Sequence, residues 1–142
     1  TLEQNLNPTL SPHYVENRVK PFQNKEVFVF TLKQSETRKL LGLIILKDLD
    51  WTLNQGEFAY ALDYNFTGKG IMSQAIENIT TYAFETLGLK RLKIIVYKDN
   101  VPSVKVALNS NFEWQKTLKN EFTPIGEKPL DMELYELYKN ER

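Results

Sequence analysis

The chain of 142 residues contains no cysteine and only one histidine, and it has no long hydrophobic run. The absence of cysteine excludes thiol nucleophiles, disulfide frameworks and thiolate ligands for zinc or iron–sulfur clusters. A single histidine leaves imidazole-based metal sites short of ligands. The longest apolar run, Leu40 to Leu46, is far shorter than the roughly 20 residues of a bilayer-spanning helix. We therefore expect no resident metal and no membrane insertion.

The chain also carries no net charge, because 18 basic residues balance 18 acidic ones. Such a chain has no long-range positive field for a polyphosphate, so we expect no nucleic-acid partner. A content of 42% apolar and 25% charged residues is typical of a globular domain. No repeat or linker-like composition divides the chain, so residues 1–142 are predicted to form one domain. The first residues lack a basic leader, which favours the cytoplasm.

The first half of the chain predicts one short helix followed by three strands. Ser11 and Pro12 resemble an N-cap and a first helical residue, which predicts a helix after them. The segments Glu26 to Leu32 and Leu40 to Leu46 are rich in β-branched and aromatic residues and are separated by a polar turn. We expect a hairpin there, and a third short strand over Glu57 to Leu62.

The second half predicts a βαβ unit followed by a helix and two strands. Apolar residues recur at steps of three and four from Met72 to Leu87, and Gly88 follows at the C-cap position. A strand is predicted next, over Arg91 to Tyr97. Strand, helix and strand in this order imply two parallel strands with the helix packed across them. The remaining predicted elements are a helix over Val101 to Asn109 and strands over Phe112 to Leu118 and Leu130 to Tyr138.

A glycine-containing loop lies between the third strand and the strongest helix. Gly68 and Gly70 allow a tight turn and close backbone approach, and the first amides of a helix attract phosphate groups. The P-loop is excluded, since Lys69 is followed by Gly70 and not by serine or threonine. The dinucleotide fingerprint also fails, because Ser73 stands where a third glycine or alanine belongs. An ordinary βα turn is the structural alternative.

The loop resembles the Gln/Arg-x-x-Gly-x-Gly/Ala segment that binds the acetyl-CoA pyrophosphate in the GNAT superfamily of N-acetyltransferases, with Asn65 in the Gln/Arg position. A second block, Asn100 to Ser103, is followed nine residues later by Phe112. It is similar to the Asn-x-x-Ser…Gly-Phe signature of RimJ/RimL-type ribosomal-protein acetyltransferases, with Asn111 in place of the glycine. The resemblance runs from about Glu26 to Tyr138.

This resemblance implies a fold, a co-substrate and a set of binding residues. The implied fold is a mixed, mostly antiparallel α/β sheet with one parallel strand pair that splays apart, flanked by helices. The family's usual first strand and helix are expected to be lacking at the front of the chain. Acetyl-CoA is the implied co-substrate, with pantetheine between the splayed strands. Its implied binding residues are Ala61, Leu62, Asp63, Asn65, Phe66, Thr67, Gly68, Lys69, Gly70, Ile71, Asn100 and Ser103.

The catalytic groups are implied by the same resemblance. Glu57 and Glu121 compete as the base that takes a proton from the acceptor amine, with a slight preference for Glu121. Ser103 is the implied acid for the departing thiolate, with Tyr97 as an alternative, and a backbone amide near Leu62 would stabilise the oxyanion. Each residue also has a purely structural alternative. Glu57 would be a solvated carboxylate at a strand end, Glu121 a loop residue and Ser103 a helix cap.

The implied function is transfer of acetyl from acetyl-CoA to a primary amine, with a protein N-terminal amine as the favoured acceptor. Small amines, polyamines, amino acids and aminoglycosides stay open as acceptors, and a homodimer is expected. A small basic group at Lys90, Arg91 and Lys93 is a candidate partner of the CoA 3′-phosphate. The alternatives from other classes are a catalytically silent acyl-CoA sensor or scaffold and an interaction module that binds no CoA.

Overall fold

The computed structural model describes residues 3–5, 13–22 and 25–142. Within these ranges the chain forms eight strands and two α-helices. In chain order the elements are β1 (Glu3–Asn5), β2 (His13–Phe22), β3 (Lys25–Gln34), β4 (Leu40–Asp50), β5 (Gln55–Leu62), α1 (Ile71–Glu85), β6 (Arg91–Val96), α2 (Val101–Asn109), β7 (Glu113–Phe122) and β8 (Leu130–Tyr138).

The described strands form one sheet in the order β1-β2-β3-β4-β5-β6-β8-β7. All neighbours run antiparallel except β5 and β6, which are parallel. A parallel pair needs a crossover connection, and α1 provides it. The mixed, mostly antiparallel α/β sheet expected from the sequence is confirmed.

The predicted helix after Ser11 is wrong. His13–Phe22 is strand β2, and it pairs antiparallel with β3 along its whole length, from His13 with Gln34 to Phe22 with Lys25. The Ser-Pro helix signal is local, whereas ten consecutive residue pairs with a neighbouring strand override a weak local preference. Ser11 and Pro12 themselves lie outside the described residues.

Helix α1 confirms the strongest sequence pattern. Its buried side chains recur at helical spacing on one face, and they are Ile71, Met72, Ala75, Ile76, Ile79, Thr80, Ala83 and Phe84. The helix stops where predicted, because Gly88 adopts a left-handed φ of 74° and the Leu89 amide donates to the Ala83 carbonyl at 3.0 Å. This stop directs the chain into β6, parallel to β5.

One hydrophobic core joins α1 and α2 to the sheet. Phe30 of β3 contacts Tyr82 of α1 edge to face, with ring centroids 6.3 Å apart. Phe112 was predicted to begin a strand, but it precedes β7 and packs in the core 6.3 Å from the ring centroid of Phe58. The core therefore fixes the C-terminal end of α2 against the parallel strand pair.

Candidate active site

The parallel strands β5 and β6 separate toward their C-terminal ends. They pair over four positions only, from Gln55 with Arg91 to Phe58 with Ile94. Strand β5 continues to Leu62 and β6 to Val96 without further pairing between them. The splayed pair expected from the sequence is present, and the backbone of β5 beyond Phe58 has an edge that β6 does not cover.

A cleft of about 590 Å³ opens where the two strands diverge. Its walls are the end of β5, the glycine-containing loop, the start of α1 and the N-terminal turns of α2. Nine of the predicted CoA-binding residues line it, and these are Ala61, Leu62, Phe66, Thr67, Gly68, Gly70, Ile71, Asn100 and Ser103. The structure thus brings together two motifs that lie some thirty residues apart in the sequence.

The other three predicted binding residues do not line the cleft. Asp63 caps a single 3₁₀ turn, because its carboxylate accepts a hydrogen bond from the Asn65 amide at 2.9 Å. The Asn65 side chain is exposed. Lys69 is also exposed, and its Nζ lies 5.6 Å from the ring centroid of Phe66. The hydrogen bond between Asp63 and Asn65 therefore shapes the loop.

The glycines of the loop adopt conformations that other residues rarely reach. Gly68 has a φ of 77° and Gly70, the N-cap of α1, has a φ of 74°. A Cβ added to either would meet no protein atom within 4 Å, so both glycines face open space. The amides of the first turn of α1, which follow directly, have no acceptor within the helix. Together they form a site suited to a phosphate or pyrophosphate group.

The first turn of α2 forms the opposite wall of the cleft. The Asn100 side-chain oxygen accepts a hydrogen bond from the Ser103 amide at 3.4 Å and so caps the helix. This leaves the Asn100 amide nitrogen as the group that can donate to a ligand. Within the described part of the chain, nothing hydrogen-bonds the half-buried Ser103 hydroxyl.

A tyrosine that sequence analysis did not select spans the cleft at its base. Tyr60 of β5 donates a hydrogen bond from its hydroxyl to the backbone carbonyl of Ser103 at 2.7 Å. Burial raises the pKa of Tyr60 far above its usual value, so the hydroxyl stays protonated and remains a donor. The sequence contained one signal for a role of Tyr60 in the site, namely its place on β5 two residues before Leu62.

The two candidate base residues have different surroundings. Glu57 lies one residue before the last paired position of β5, between Lys47 of β4 and Lys93 of β6. Its carboxylate is 3.6 Å from the Lys47 ammonium, and 13% of its side chain is exposed. Burial raises the pKa of Glu57, and the two lysines only partly offset this effect. Glu121 is exposed on β7, and β8 lies between that strand and β6.

The alternative acid, Tyr97, follows β6 directly, outside the cleft lining. A hydrogen bond to Asp99 raises the pKa of Tyr97, because the phenol is stabilised in its protonated form. Ser103 lines the cleft, whereas Tyr97 does not.

Two lysines from distant segments flank the aromatic ring of Phe66. The Nζ of Lys39, in the turn between β3 and β4, lies 5.4 Å from the ring centroid, and that of Lys69 lies 5.6 Å from it. Sequence analysis missed Lys39, because only the packing of the β3–β4 turn brings it to the glycine-containing loop. Phe66 lines the cleft, so this pair adds positive charge beside the candidate phosphate site.

The basic group around Arg91 lies at the other end of the parallel pair. Arg91 is the first residue of β6, whereas the glycine-containing loop follows the last residue of β5. The Arg91 guanidinium forms an ion pair with Glu136, and Arg91 Nη1 donates to Gln55 Oε1 at 3.1 Å. Arg91 therefore joins β5, β6 and β8 at the end of the parallel pair that lies away from the cleft. The basic group around it is not placed to meet a phosphate in the cleft.

Among residues 3–5, 13–22 and 25–142, no group of three or more histidine, aspartate or glutamate side chains could hold a metal ion. In the same ranges, no helix has the length and apolar content needed to cross a membrane.

Comparison with known proteins identifies the family. Residues 3–113 match the family described as "Acetyltransferase (GNAT) domain". The chain therefore belongs to the GNAT acetyltransferase family.

Three relatives show how far the similarity extends. The chain is 28% identical over 112 residues to "Uncharacterized N-acetyltransferase p20" of Bacillus licheniformis, covering 79% of this chain and 62% of the relative. It is 27% identical over 86 residues to spermidine N(1)-acetyltransferase of Escherichia coli K12, covering 61% of this chain and 46% of that enzyme. The solved structure of a "putative ribosomal-protein-serine acetyltransferase" from Vibrio cholerae superimposes with a TM-score of 0.72 at 25% identity, covering 79% of this chain and 64% of that one. The chain thus spans less than two thirds of the length of each.

Proposed function

We propose that the chain binds acetyl-CoA in the cleft between β5 and α2 and transfers the acetyl group to a primary amine. The observation that carries this proposal is the cleft itself, in which an uncovered strand edge, a left-handed glycine loop and a capped helix start converge. Membership of the GNAT acetyltransferase family supports the same conclusion.

Acetyl-CoA binding would rest mainly on backbone groups. The amides from Phe66 to Ile71 would receive the pyrophosphate at the start of α1. The pantetheine amides would pair with the uncovered backbone of Ala61 and Leu62, as an added strand pairs with a sheet edge. The Asn100 amide nitrogen would donate to the pantetheine arm. Backbone recognition of this kind explains how the loop can function with asparagine at position 65.

The reaction proposed for this site is direct attack by the amine. Glu57 removes a proton from the acceptor ammonium through a water molecule, and the neutral nitrogen attacks the thioester carbonyl carbon. A backbone amide near Leu62 stabilises the oxyanion of the tetrahedral intermediate. The intermediate collapses with cleavage of the carbon–sulfur bond, and the Ser103 hydroxyl donates its proton to the departing thiolate. The amide nitrogen loses its second proton, which returns to Ser103 through solvent, and Glu57 releases the first proton to solvent.

Glu57 is preferred to Glu121 as the base. Glu57 lies on β5 at the point where the strands divide, and its raised pKa makes it a stronger base than an exposed carboxylate. Glu121 is exposed on β7, and β8 separates that strand from the parallel pair. The preference stated from the sequence is therefore reversed in this proposal.

The proposed acceptor is a protein N-terminal amine. Lys47 and Lys93 flank Glu57, so an acceptor that carries several positive charges would be repelled where it must deliver its amine. A peptide N-terminus brings one positive charge. The name of the ribosomal-protein-serine acetyltransferase relative agrees with such an acceptor, whereas that of the spermidine enzyme does not.

An acceptor panel tests this proposal. We expect acetyl-CoA-dependent acetylation of a peptide with a free N-terminus, detected by mass spectrometry, and at least tenfold lower kcat/KM for spermidine. The same peptide with a blocked N-terminus and an internal lysine is the control for acetylation elsewhere. Preference for spermidine would overturn the acceptor, and CoA binding without transfer to any amine would identify a silent sensor.

Replacing the two lysines beside Phe66 is expected to weaken CoA binding, because it removes two positive charges beside the proposed phosphate site. The double variant Lys39→Met, Lys69→Met should raise the Kd for CoA about fivefold at low salt, since each exposed charge contributes only modestly. The difference should shrink at high salt, where such contacts are screened. Titration calorimetry at two salt concentrations measures both effects.

Lys90→Met is the matched control, because Lys90 is exposed and lies just before β6, at the opposite end of the parallel pair. It should leave the Kd unchanged. A loss in the double variant that is equally large at high salt would show that the lysines act through loop structure and not through charge.

The sequence-based expectations of a cytoplasmic location, of a homodimer and of a missing first strand and helix stay predictions.

A further inference from the structure

We propose that Tyr60 is a positioning residue that holds the first turn of α2 so that the Ser103 hydroxyl faces the departing thiolate. The inference rests on the proposed function, since it assigns to Tyr60 a role in the acid step of that reaction.

The hydrogen bond of Tyr60 crosses the space between the splayed strands and α2. Tyr60 lies two residues beyond Phe58, the last position at which β5 pairs with β6. Its hydroxyl reaches the Ser103 carbonyl, 43 residues away in the sequence, at 2.7 Å. The bond therefore connects the two walls of the cleft where the sheet no longer connects them.

Both backbone groups of Ser103 are held by residues of the cleft. The Ser103 carbonyl accepts from Tyr60, and the Ser103 amide donates to the Asn100 side chain. The hydroxyl has no hydrogen-bond partner within the described residues, and Ser103 is one of the residues that line the cleft. The backbone of Ser103 is thus fixed on both sides, and its hydroxyl is left for a ligand. This arrangement suits a proton transfer in one direction.

Packing alone holds this part of α2 weakly. The helix has nine residues, of which Ala107 is the one fully buried, while Val104 and Val106 pack against the core partly buried. Asn100, Val101 and Pro102, which lead into Ser103, are all exposed. The hydroxyl of Tyr60 is thus a specific constraint on a turn that few apolar contacts fix. The high pKa of Tyr60 noted above keeps it a donor throughout the pH range of the reaction.

Tyr60→Phe removes this constraint and keeps the ring. We expect kcat to fall about tenfold, because a misplaced catalytic group loses much of its effect even when shifted by ~1 Å. The Kd for CoA should rise by no more than a few-fold, since the glycine-containing loop is untouched and only the Asn100 contact depends on this turn. Tyr138→Phe removes a hydroxyl from an exposed tyrosine at the end of β8 and is expected to retain the wild-type kcat.

A double-mutant cycle with Ser103→Ala tests the inference. If Tyr60 acts through Ser103, the double variant should be no slower than Ser103→Ala alone. The inference would be overturned if the losses of kcat in the two single variants multiplied in the double variant, or if Ser103→Ala kept full activity. Either result would leave acetyl transfer by the wild type intact. An inactive wild type would instead overturn the proposed function, and with it this role for Tyr60.

Hydrogen exchange provides a readout that does not depend on activity. The amides of the first two turns of α2 should exchange several-fold faster in Tyr60→Phe than in the wild type, with α1 unchanged. Unchanged exchange in α2 would show that Tyr60 does not hold the turn and would also overturn the inference.

Discussion

Replacing Gly68 with valine is expected to weaken CoA binding at least tenfold. A residue with a branched side chain tolerates the φ of 77° poorly, at a cost of about 1–2 kcal/mol. Since an added Cβ meets no protein atom within 4 Å, the side chain would project into space that the proposed pyrophosphate site uses. Titration calorimetry with CoA measures the change in Kd.

Gly126→Val is the control for backbone strain alone. Gly126 has a φ of 76° and likewise no neighbour within 4 Å of an added Cβ, but it lies in the loop between β7 and β8. It should lower Tm about as much as Gly68→Val does and leave the Kd for CoA within twofold of the wild type. Equal losses of affinity in both variants, or none in Gly68→Val, would contradict the placement of the pyrophosphate.

Glu57→Gln is expected to lower kcat/KM about 100-fold or more at neutral pH. Loss of a positioned general base typically costs about 10²–10⁴-fold, and the amide cannot accept the proton. The Kd for CoA should stay unchanged, because Glu57 does not line the cleft. Steady-state kinetics with varied peptide acceptor measure kcat/KM for the acceptor, and calorimetry measures the Kd for CoA.

The pH dependence provides a second test of Glu57. Burial raises the pKa of Glu57 above its usual 4.5, and the base is active only when ionised. The kcat/KM of the wild type should therefore rise with pH through that raised pKa and then level off. Glu57→Gln should lose this limb, whereas Glu121→Gln should keep both the limb and the rate. A fast Glu57→Gln variant with a slow Glu121→Gln variant would reverse the assignment of the base.

The same pKa shift indicates that Glu57→Gln should fold normally. A carboxyl group whose pKa is raised in the folded state favours its protonated form there, so its contribution to stability is lost as pH rises through that pKa. At neutral pH the ionised group is destabilising, apart from its ion pair with Lys47. We therefore expect little change in Tm, and a loss of rate would reflect chemistry.

The parts of the molecule that sequence predicted well are those set by local pattern. Helix α1 has regular apolar spacing and a glycine stop, and both appear in the structure. Helix α2 was likewise predicted with the bounds that it has in the structure, Val101–Asn109. The strand at His13–Phe22 was mispredicted, because its conformation depends on pairing with β3, which lies outside the local window.

The remaining features of the site depend on tertiary packing. No spacing in the sequence relates Tyr60 to Ser103, or Lys39 to Phe66, because each pair meets only after the sheet has formed. The same holds for the two lysines beside Glu57, which come from neighbouring strands in register. Sequence motifs selected the candidate backbone groups together with Glu57 and Ser103, and the structure added the side chains that contact them.

The most direct test of the central proposal is a crystal structure of the chain with CoA. The account predicts the pyrophosphate on the amides of residues 66–71, and pantetheine along β5 at Ala61 and Leu62 with its thiol end near Ser103. CoA bound elsewhere, or a cleft that stays closed to CoA at saturating concentration, would contradict it.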